Sequence, residues 1–189
     1  MPLVLASQSP RRLALLRQIG IEPDHVIPAE VDETPQPREL PRDHALRLAQ
    51  AKAVSIAPRA AGAYLLAADT VVALGRRILP KAEDPATARR CLGFLSGRRH
   101  RVLGGVVVRS PDGRQATRLV TTRVEVKRLS DDEIEAYLAS GEWQGKAGGY
   151  AIQGRAAAWI PWINGSYSNV VGLPLAETAG LLTGLGFRW

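Results

Sequence analysis

The sequence predicts an α/β fold in which a mixed β-sheet is flanked by helices. Three observations predict it: short apolar runs typical of buried strands alternate with helical periodicity, two β-like segments follow one another around a turn, and neither a repeat nor a linker is visible. The chain has 189 residues, of which 46% are hydrophobic. This is enough to bury one core, so we expect a single domain over residues 1–189.

The chain opens with a strand, a tight loop and a helix. Residues 3–6 form a short apolar run, and apolar residues then recur at helical spacing over residues 13–19. Ser9 suits the N-cap position, Pro10 suits the first helical turn and Gly20 suits the end of the helix. Such a unit aims unpaired backbone N–H groups and the positive end of the helix dipole at one point, which attracts phosphate.

Two arginines, Arg11 and Arg12, lie in the first turn of this helix. Positive side chains at that end work against the helix dipole, so their position makes sense chiefly if an anion shares the site. The alternative is that both are solvated surface charges. Ser7 begins the loop that leads into this turn, and we interpret the whole segment as a candidate phosphate-binding loop.

An acidic cluster precedes the second helix. A proline-rich stretch over residues 28–41 carries Glu30, Asp32 and Glu33, and apolar spacing then predicts a helix that contains Lys52. These acids could bind a hard cation such as Mg²⁺, which takes one or two protein carboxylates and completes its shell with water and phosphate oxygens. The alternative is that they are solvated surface charges.

One carboxylate falls within a long apolar run. Residues 64–68 and 71–74 suit two parts of a central strand, which Asp69 and Thr70 interrupt. An aspartate among such neighbours is costly to bury unless a cation or hydrogen-bond donors stabilise it. We therefore interpret Asp69 as a metal ligand, a proton acceptor for water or both. The alternative is a hydrogen-bonded aspartate at a strand end.

A helix and a pair of strands follow. Asp84 and Pro85 repeat the pattern of a cap followed by proline, which predicts a helix that ends at Gly97. Residues 102–109 and 119–127 predict an antiparallel pair of strands around the turn Pro111-Asp112-Gly113.

The last third of the chain contains two helices separated by a glycine-rich loop. Residues 130–133 form a capping box that opens a helix, and Gly141 suits its end. Residues 145–154 are rich in glycine, and residues 174–185 predict a final helix. Gln153 in the glycine-rich loop offers an amide that can pair with a base edge.

The net charge of +7 favours anionic partners, which include nucleic acid, membrane surfaces and phosphorylated small molecules. The basic residues are scattered as short pairs, and aromatic residues make up only 5% of the chain. Both observations weaken a nucleic-acid interpretation, which requires a continuous basic face.

Lys52 and Lys81 are candidate phosphate contacts, although a lone lysine is usually a surface residue. Trp159 and Trp162 are interpreted as core or interface residues rather than a base-stacking platform.

The cysteine content and the hydropathy indicate the compartment. A single cysteine, Cys91, excludes an internal disulfide and a zinc cluster, and its apolar neighbours indicate a core residue rather than a nucleophile. The sequence shows neither a signal peptide nor a run of about 18 apolar residues. We therefore expect a soluble cytoplasmic protein with no membrane partner.

Four motifs together resemble those of a known family. They are residues 5–12 (LASQSPRR), 68–72 (ADTVV), 146–154 (KAGGYAIQG), and 163–167 (INGSY) with 171–175 (VGLPL). In this order they are similar to the Maf family of nucleotide pyrophosphatases, and the resemblance spans essentially the whole chain. It implies an elongated α/β fold with two lobes around a central cleft, shared with inosine triphosphate pyrophosphatases, and a homodimer.

The resemblance also implies residue roles in metal-dependent cleavage between the α- and β-phosphates of a nucleoside triphosphate. Asp69 matches the proton acceptor of the family, and Glu33 matches the acid that helps to hold Mg²⁺ or Mn²⁺. Phosphate-binding positions match Ser7, Arg12, Lys52 and Lys81. Lys81 is followed by Ala82 and Glu83, whereas the family usually has proline after this lysine.

Three further positions resemble the branch of the family that acts on dTTP and UTP: Arg11, Thr70 and Gln153. A sister branch that acts on 7-methyl-GTP carries other residues there. In the mechanism that the resemblance implies, a metal ion held by Glu33 and Asp69 bridges the phosphates, and water is activated by Asp69 or by the metal. The rivals are the same chemistry on another nucleotide, such as 7-methyl-GTP, and a non-enzymatic regulator of septum formation that binds nucleic acid.

Overall fold

The computed structural model describes residues 1–189 and confirms the mixed α/β class. Its strands are β1 (Leu3–Ala6), β2 (His25–Ile27), β3 (Tyr64–Leu74), β4 (Arg77–Leu79), β5 (Lys81–Ala82), β6 (Arg99–Arg109), β7 (Gln115–Glu125), β8 (Lys146–Ala147) and β9 (Trp162–Asn164). Its helices are α1 (Pro10–Gln18), α2 (Pro41–Ile56), α3 (Pro85–Leu95), α4 (Asp131–Ser140), α5 (Tyr167–Val171) and α6 (Leu175–Gly184), with 3₁₀ turns at Ala57–Ala60 and Arg155–Trp159.

The main sheet has seven strands. Their order is β2-β1-β3-β6-β7-β9, and β4 pairs with one end of β3. β1 is parallel to both β2 and β3, whereas β3–β4, β3–β6, β6–β7 and β7–β9 are antiparallel pairs. β5 and β8 form a separate antiparallel ribbon. None of the helices has both the length and the apolar character that a membrane span requires.

The two faces of β3 contact different helices because successive side chains of a strand point in opposite directions. Leu65 and Ala67 share an apolar cluster with residues of α2. Leu66 and Ala68 share another with residues of α1 and α6. The same alternation places Asp69 on the face covered by α2 and the next residue on the face of α1.

β3 runs unbroken through Asp69 and Thr70, although these two polar residues interrupt its apolar sequence. The two residues pair with Gly105 and Gly104 of β6. A Cβ atom on Gly105 would lie 2.4 Å from the carbonyl oxygen of Ala45, so only glycine lets α2 approach the sheet this closely beside Asp69. The backbone hydrogen bonds between β3 and β6 thus continue past Asp69 and Thr70. The side chains of these two residues contact α2 and α1, respectively.

The observed helix caps agree with those predicted from the sequence, with one difference. Ser130 and Glu133 form both hydrogen bonds of a capping box, and Asp84 accepts a hydrogen bond from the backbone N–H of Thr87. Ser9 occupies the predicted N-cap position of α1, but its side chain makes no capping hydrogen bond. The N-terminus of α1 therefore keeps backbone donors available.

Three large apolar clusters define two lobes. The largest packs α3, α4 and the 3₁₀ turn at Arg155–Trp159 against one end of the main sheet and forms the core of one lobe. The other two lie on opposite faces of the rest of the sheet, one against α1 and α6 and one against α2, and form the other lobe. The β5–β8 ribbon and residues 144–153 face α1 and β3 across a cleft.

Candidate active site

The cleft contains a cavity of about 500 Å³. It is lined by all nine residues to which the family resemblance assigns a role, although these residues come from segments that are distant in the sequence. They are Ser7, Arg11, Arg12, Glu33, Lys52, Asp69, Thr70, Lys81 and Gln153. The fold thus brings the acidic, the basic and the amide candidates to one surface.

Asp69 forms a buried ion pair with a lysine from α2. The Nζ atom of Lys52 donates hydrogen bonds to Asp69 Oδ1 at 2.6 Å and to Glu33 Oε1 at 2.7 Å. Lys52 is 7% exposed and Asp69 is 4% exposed. Opposite charges in direct contact are the usual condition for burying a carboxylate among apolar neighbours, which accounts for Asp69 within β3.

Glu33 connects the two lobes through two lysines. Its Oε1 atom accepts a hydrogen bond from Lys52 of α2, and its Oε2 atom accepts one from Lys81 of β5. Burial alone would raise the pKa of Glu33, but the hydrogen bonds from both lysines outweigh this effect and lower the pKa to about 2. Glu33 is therefore an anion at neutral pH.

Arg12 is buried among neutral oxygen atoms. Its Nε atom donates to the carbonyl oxygen of Gly172 at 2.8 Å, one Nη atom donates to Ser7 Oγ at 3.3 Å, and the other donates to Thr70 Oγ1 at 3.1 Å. Burial lowers the pKa of Arg12, whereas the negative charge of Asp69 raises it. Because no carboxylate contacts this guanidinium, an anion in the cavity would find an oriented and uncompensated positive charge. The alternative of a solvated surface charge is therefore wrong for Arg12.

The N-terminus of α1 opens onto the same cavity, which is lined by Gln8, Ser9 and Pro10. The backbone N–H of Ser9 donates to Ser7 Oγ at 3.1 Å, which holds the tight turn. Arg11 is half-buried and donates from Nε to the carbonyl oxygen of Val171 at 3.3 Å. Burial lowers the pKa of Arg11.

Contacts with β3, α3 and Tyr137 hold the glycine-rich loop in position. Gly148 and Gly149 adopt φ angles of +69° and +70°, which only glycine adopts readily, and they pack against β3 and α3. The hydroxyl of Tyr137 accepts a hydrogen bond from the backbone N–H of Ala151 at 3.0 Å. Gln153 is exposed and lies in the wall of the cavity.

Two carboxylates could hold a divalent cation. Glu33 and Asp69 converge on one ammonium group, so oxygen atoms of both lie within reach of one small positive ion. No three acidic, histidine or cysteine side chains come together anywhere in the chain. A pair of carboxylates fits Mg²⁺ or Mn²⁺ when phosphate oxygens and water complete the coordination.

The other two acids of the predicted cluster do not join this site. Glu30 and Asp32 are exposed and do not line the cavity. Asp32 instead accepts a hydrogen bond from the backbone N–H of Thr34 at 2.9 Å and so stabilises a local turn. For these two acids the structure therefore agrees with the alternative of solvated surface charges.

Sequence reasoning missed several residues of the cavity wall. They are Glu83, Gln144, Lys146 and Tyr150. A signal was available for two of them, because Lys146 and Tyr150 lie within a motif that the family resemblance uses. Residues interpreted as packing residues do pack: Cys91 and Trp159 are buried in the largest apolar cluster, and Trp162 lies under the guanidinium of Arg99 at 4.5 Å. Burial raises the pKa of the Cys91 thiol, as expected for an inert cysteine.

A second polar network fastens the loop that carries Glu33. Glu39 accepts hydrogen bonds from Arg47 at 2.6 and 2.9 Å, and it lies 2.8 Å from His44 Nδ1. Arg47 also donates to the carbonyl oxygen of Thr34 at 3.1 Å. The side chain of Glu39 is only 7% exposed. The network therefore joins the proline-rich loop to α2 beside the cavity.

This network predicts a pH-dependent loss of stability. Hydrogen bonds from Arg47 lower the pKa of Glu39 from 4.5 to about 2. Glu39 therefore stabilises the fold above about pH 4.5, and this contribution is lost as the pH falls through about 2. We expect Glu39→Gln to lower the free energy of unfolding at pH 7 by roughly 1–2 kcal/mol. Urea denaturation at pH 7, 4.5 and 3 measures this effect.

The control for this prediction is Glu22→Gln, which removes an exposed partner of Arg17. It should leave the free energy of unfolding nearly unchanged. The Glu39→Gln variant should also lose less stability than the unsubstituted chain between pH 4.5 and 3. If the curve of unfolding free energy against pH for Glu39→Gln runs parallel to that of the unsubstituted chain, Glu39 does not anchor the loop.

Together, the fold and the cavity define an α/β protein that presents paired carboxylates and several cations to one cavity. The chain belongs to the Maf family: the family model described as Maf-like protein matches residues 2–185. A protein of Paramagnetospirillum magneticum named dTTP/UTP pyrophosphatase is 68% identical over 185 residues, which cover 98% of this chain and 97% of that protein. A protein of the same name from Rhodospirillum rubrum is 62% identical over 187 residues, which cover 99% of this chain and 89% of that protein.

Among solved structures, a HAM1 protein from Coxiella burnetii has a similar fold. It aligns with a TM-score of 0.53 and 16% identity, over 97% of this chain and 99% of that one. The predicted family membership and the predicted type of fold are both confirmed.

Proposed function

We propose that this chain hydrolyses dTTP and UTP to the nucleoside monophosphate and pyrophosphate in the presence of Mg²⁺ or Mn²⁺. The observation that carries the proposal is the convergence of Glu33 and Asp69 with several cations on one cavity. Relatives at 68% and 62% identity that bear the name dTTP/UTP pyrophosphatase support the activity and the substrate. The chain is accordingly an enzyme of the nucleotide diphosphatase class.

The charge of the cavity supports a metal-bound triphosphate as the ligand. Five cationic and three anionic side chains line the wall, which leaves a net charge of +2. A nucleoside triphosphate that carries one divalent cation has a net charge of about −2. The net charges of the cavity wall and of this ligand therefore cancel.

Asp69 and Glu33 are the residues that would hold the metal. The bound ion would supply Lewis-acid polarisation of the phosphate oxygens. Asp69 would accept the proton of the attacking water, because a buried carboxylate that lines the cleft can be both close to the scissile phosphate and shielded from bulk solvent. Lys52, which contacts both carboxylates, would keep them at a fixed separation before the substrate arrives.

The cationic residues would stabilise the pyrophosphate as it leaves. Arg12 is held in place by three hydrogen bonds to Ser7, Thr70 and Gly172, so it needs no reorganisation when negative charge develops. Lys52 and Lys81 line the same wall, and the free backbone donors of the α1 N-terminus add to them. Preorganised donors of this kind are expected to contribute most of the catalysis of phosphoryl transfer.

Three residues would select the base, and one of them acts indirectly. Arg11 and Gln153 line the cavity with donor and amide groups that remain free to contact a ligand. The hydroxyl of Thr70 accepts a hydrogen bond from Arg12 and donates one to the carbonyl oxygen of Gly172 at 3.3 Å. Thr70 would therefore influence the substrate by orienting Arg12.

A triphosphate panel tests the function. We expect Mg²⁺-dependent or Mn²⁺-dependent release of pyrophosphate from dTTP and UTP, and slower release from dCTP, dATP and 7-methyl-GTP. Preference for 7-methyl-GTP or another purine would retain the chemistry and reject the substrate. An absence of hydrolysis, together with salt-dependent binding in a DNA titration, would support the rival regulator instead.

Gln153 gives a prediction about selectivity. We expect Gln153→Glu to change the order of preference among the triphosphates by about tenfold, because a carboxylate cannot offer the donor of the amide. The overall rate on the best substrate should change less. Steady-state kcat/KM values on the same panel measure the change, and Gln50→Glu, at an exposed amide of α2 outside the cavity, provides the matched control. An unchanged substrate profile would remove Gln153 from the base-binding surface.

The homodimer and the cytoplasmic location stay predictions from the family resemblance and the composition. Light scattering of the purified chain tests the first of them, and a mass of twice 20.4 kDa is the expected result.

A further inference from the structure

Gln153 lies within a tight turn at the cavity wall. The backbone N–H of Gly154 donates to the carbonyl oxygen of Ala151 at 3.0 Å, so Ile152 and Gln153 are the central residues of this turn. The side chain of Ile152 is buried in the largest apolar cluster, whereas Gln153 is exposed and lines the cavity. The geometry of the turn therefore decides where the amide of Gln153 lies.

Both ends of the turn are held by α4 and the segment that follows it. The hydroxyl of Tyr137 accepts a hydrogen bond from the backbone N–H of Ala151, which precedes Gln153. The Oε2 atom of Glu142 accepts one from the backbone N–H of Arg155 at 2.8 Å, on the other side of Gln153. Two side chains, rather than strand pairing, thus fix the backbone on either side of this amide.

The backbone at Glu142 is itself anchored. Its N–H donates to Ser140 Oγ at 3.3 Å. The next residue, Trp143, is buried in the largest apolar cluster, and its indole N–H donates to the carbonyl oxygen of Leu138 at 2.8 Å. Glu142 does not line the cavity. Any effect of Glu142 on the substrate must therefore act through the turn that it holds.

Gly154 packs directly against this carboxylate. A Cβ atom on Gly154 would clash with Glu142 Oε2. The backbone conformation does not require glycine, because Gly154 is extended and its φ is −106°. Glycine is required here because it leaves room for the carboxylate to reach the N–H of Arg155. The side chain of Glu142 and the bare backbone of Gly154 therefore form a single contact.

We propose that Glu142 is a positioning residue for Gln153, whose turn it holds where the amide can contact the base. The inference rests on the proposed function, which assigns Gln153 to base selection. Selection by hydrogen bonds requires the selecting group to be held to within about 0.5 Å by its supporting residues. Because Glu142 does not touch the substrate, its loss changes the order of preference among triphosphates more than the rate on the best of them.

Two substitutions break this contact from opposite sides. Glu142→Ala removes the acceptor, and Gly154→Ala drives the carboxylate away from Arg155. We expect each to lower the preference for dTTP over dCTP, as a ratio of kcat/KM values, about fivefold, while kcat for dTTP changes less than about threefold. The double variant should lose no more than either single variant, because both remove the same contact. Glu142→Gln keeps an acceptor oxygen and should retain the preference within about twofold.

Matched controls are available for both substitutions. Glu135 is an exposed glutamate of α4 that pairs with Arg89, and Gly93 is an exposed glycine of α3 with open space at its Cβ position. Glu135→Ala and Gly93→Ala should leave the preference unchanged. An unchanged preference in Glu142→Ala would overturn the inference. So would additive losses in the double variant, or a loss in Glu142→Gln as large as that in Glu142→Ala.

An exchange measurement tests the turn without turnover. The backbone N–H of Gly154 closes the turn but does not bond to Glu142, so its hydrogen exchange, followed by NMR, reports on the turn itself. We expect exchange to be at least fivefold faster in Glu142→Ala and unchanged in Glu142→Gln. Equal rates in the two variants and the unsubstituted chain would overturn the inference. A failure of the unsubstituted chain to hydrolyse dTTP would instead overturn the proposed function, and the exchange rates would still show whether Glu142 holds the turn.

Discussion

Asp69→Asn should reduce kcat/KM for dTTP by about 10³-fold while the chain keeps its fold. The amide has nearly the shape of the carboxylate, but it can neither accept a proton from water nor bind a divalent cation as an anion. Lys52 would retain Glu33 as a partner, so the buried ammonium would still have a counter-charge. Pyrophosphate release in the presence of Mg²⁺ measures the loss, and circular dichroism verifies the fold.

The control for this prediction is a carboxylate of the loop that carries Glu33, one that does not reach the cavity. Asp32→Asn removes a charge that only stabilises a local turn, so its activity should be within about twofold of the original. Full activity of Asp69→Asn would show that the buried carboxylate is structural. Equal losses in both variants would show that the effect is one of general charge.

Lys52→Met should lower the free energy of unfolding by about 3 kcal/mol, because it leaves two carboxylates facing each other without the cation between them. Addition of Mg²⁺ or Mn²⁺ should restore part of this loss, since a divalent ion held by Glu33 and Asp69 takes over the compensation of charge. The original chain should respond less, because its ammonium already compensates the pair. Thermal unfolding with and without metal measures both effects, and neither requires turnover.

Lys81→Met provides the matched lysine control. This lysine contacts the same glutamate, but its side chain is 45% exposed, so the loss of stability should stay below about 1 kcal/mol. The double variant Asp69→Asn with Lys52→Met should lose less stability than the sum of the two single variants, because it removes the unpaired charge. If metal ions do not stabilise Lys52→Met, the two carboxylates are not the metal-binding pair.

Local rules were sufficient for much of the fold. Three local features satisfy backbone groups within a few residues, so each could be recognised from the sequence. They are the capping box at Ser130, the cap and proline at Asp84 and Pro85, and the turn around residues 111–113. The long strands β3 and β6 were recognisable for a similar reason, because burial on both faces of a central strand requires a continuous apolar run. β7 is less buried, and it spans residues 115–125 rather than the predicted 119–127.

The β5–β8 ribbon was not predictable in this way. Each strand has only two residues, which is too short for any periodicity, and the partners are more than 60 residues apart in the chain. The position of Lys146 depends on this pairing, so its place in the cavity could not be inferred from spacing. The same holds for the network of Glu39 and Arg47, whose partners are brought together by a loop without regular structure.

Asp69 illustrates what the sequence could and could not indicate about the site. Its apolar neighbours showed that the carboxylate required compensation. They did not reveal that the compensating group in the structure is Lys52. The alternation of β3 explains this contact, because it directs Asp69 to α2 and Thr70 to α1.

The central claim is that one cavity cleaves a metal-bound triphosphate between its α- and β-phosphates. Phosphorus NMR of dTTP during incubation with the purified chain and Mg²⁺ tests it most directly. The account predicts that dTMP and pyrophosphate appear together in equal amounts and that chelation of the metal stops the reaction. The appearance of dTDP with inorganic phosphate, or an unchanged rate after chelation, would contradict it.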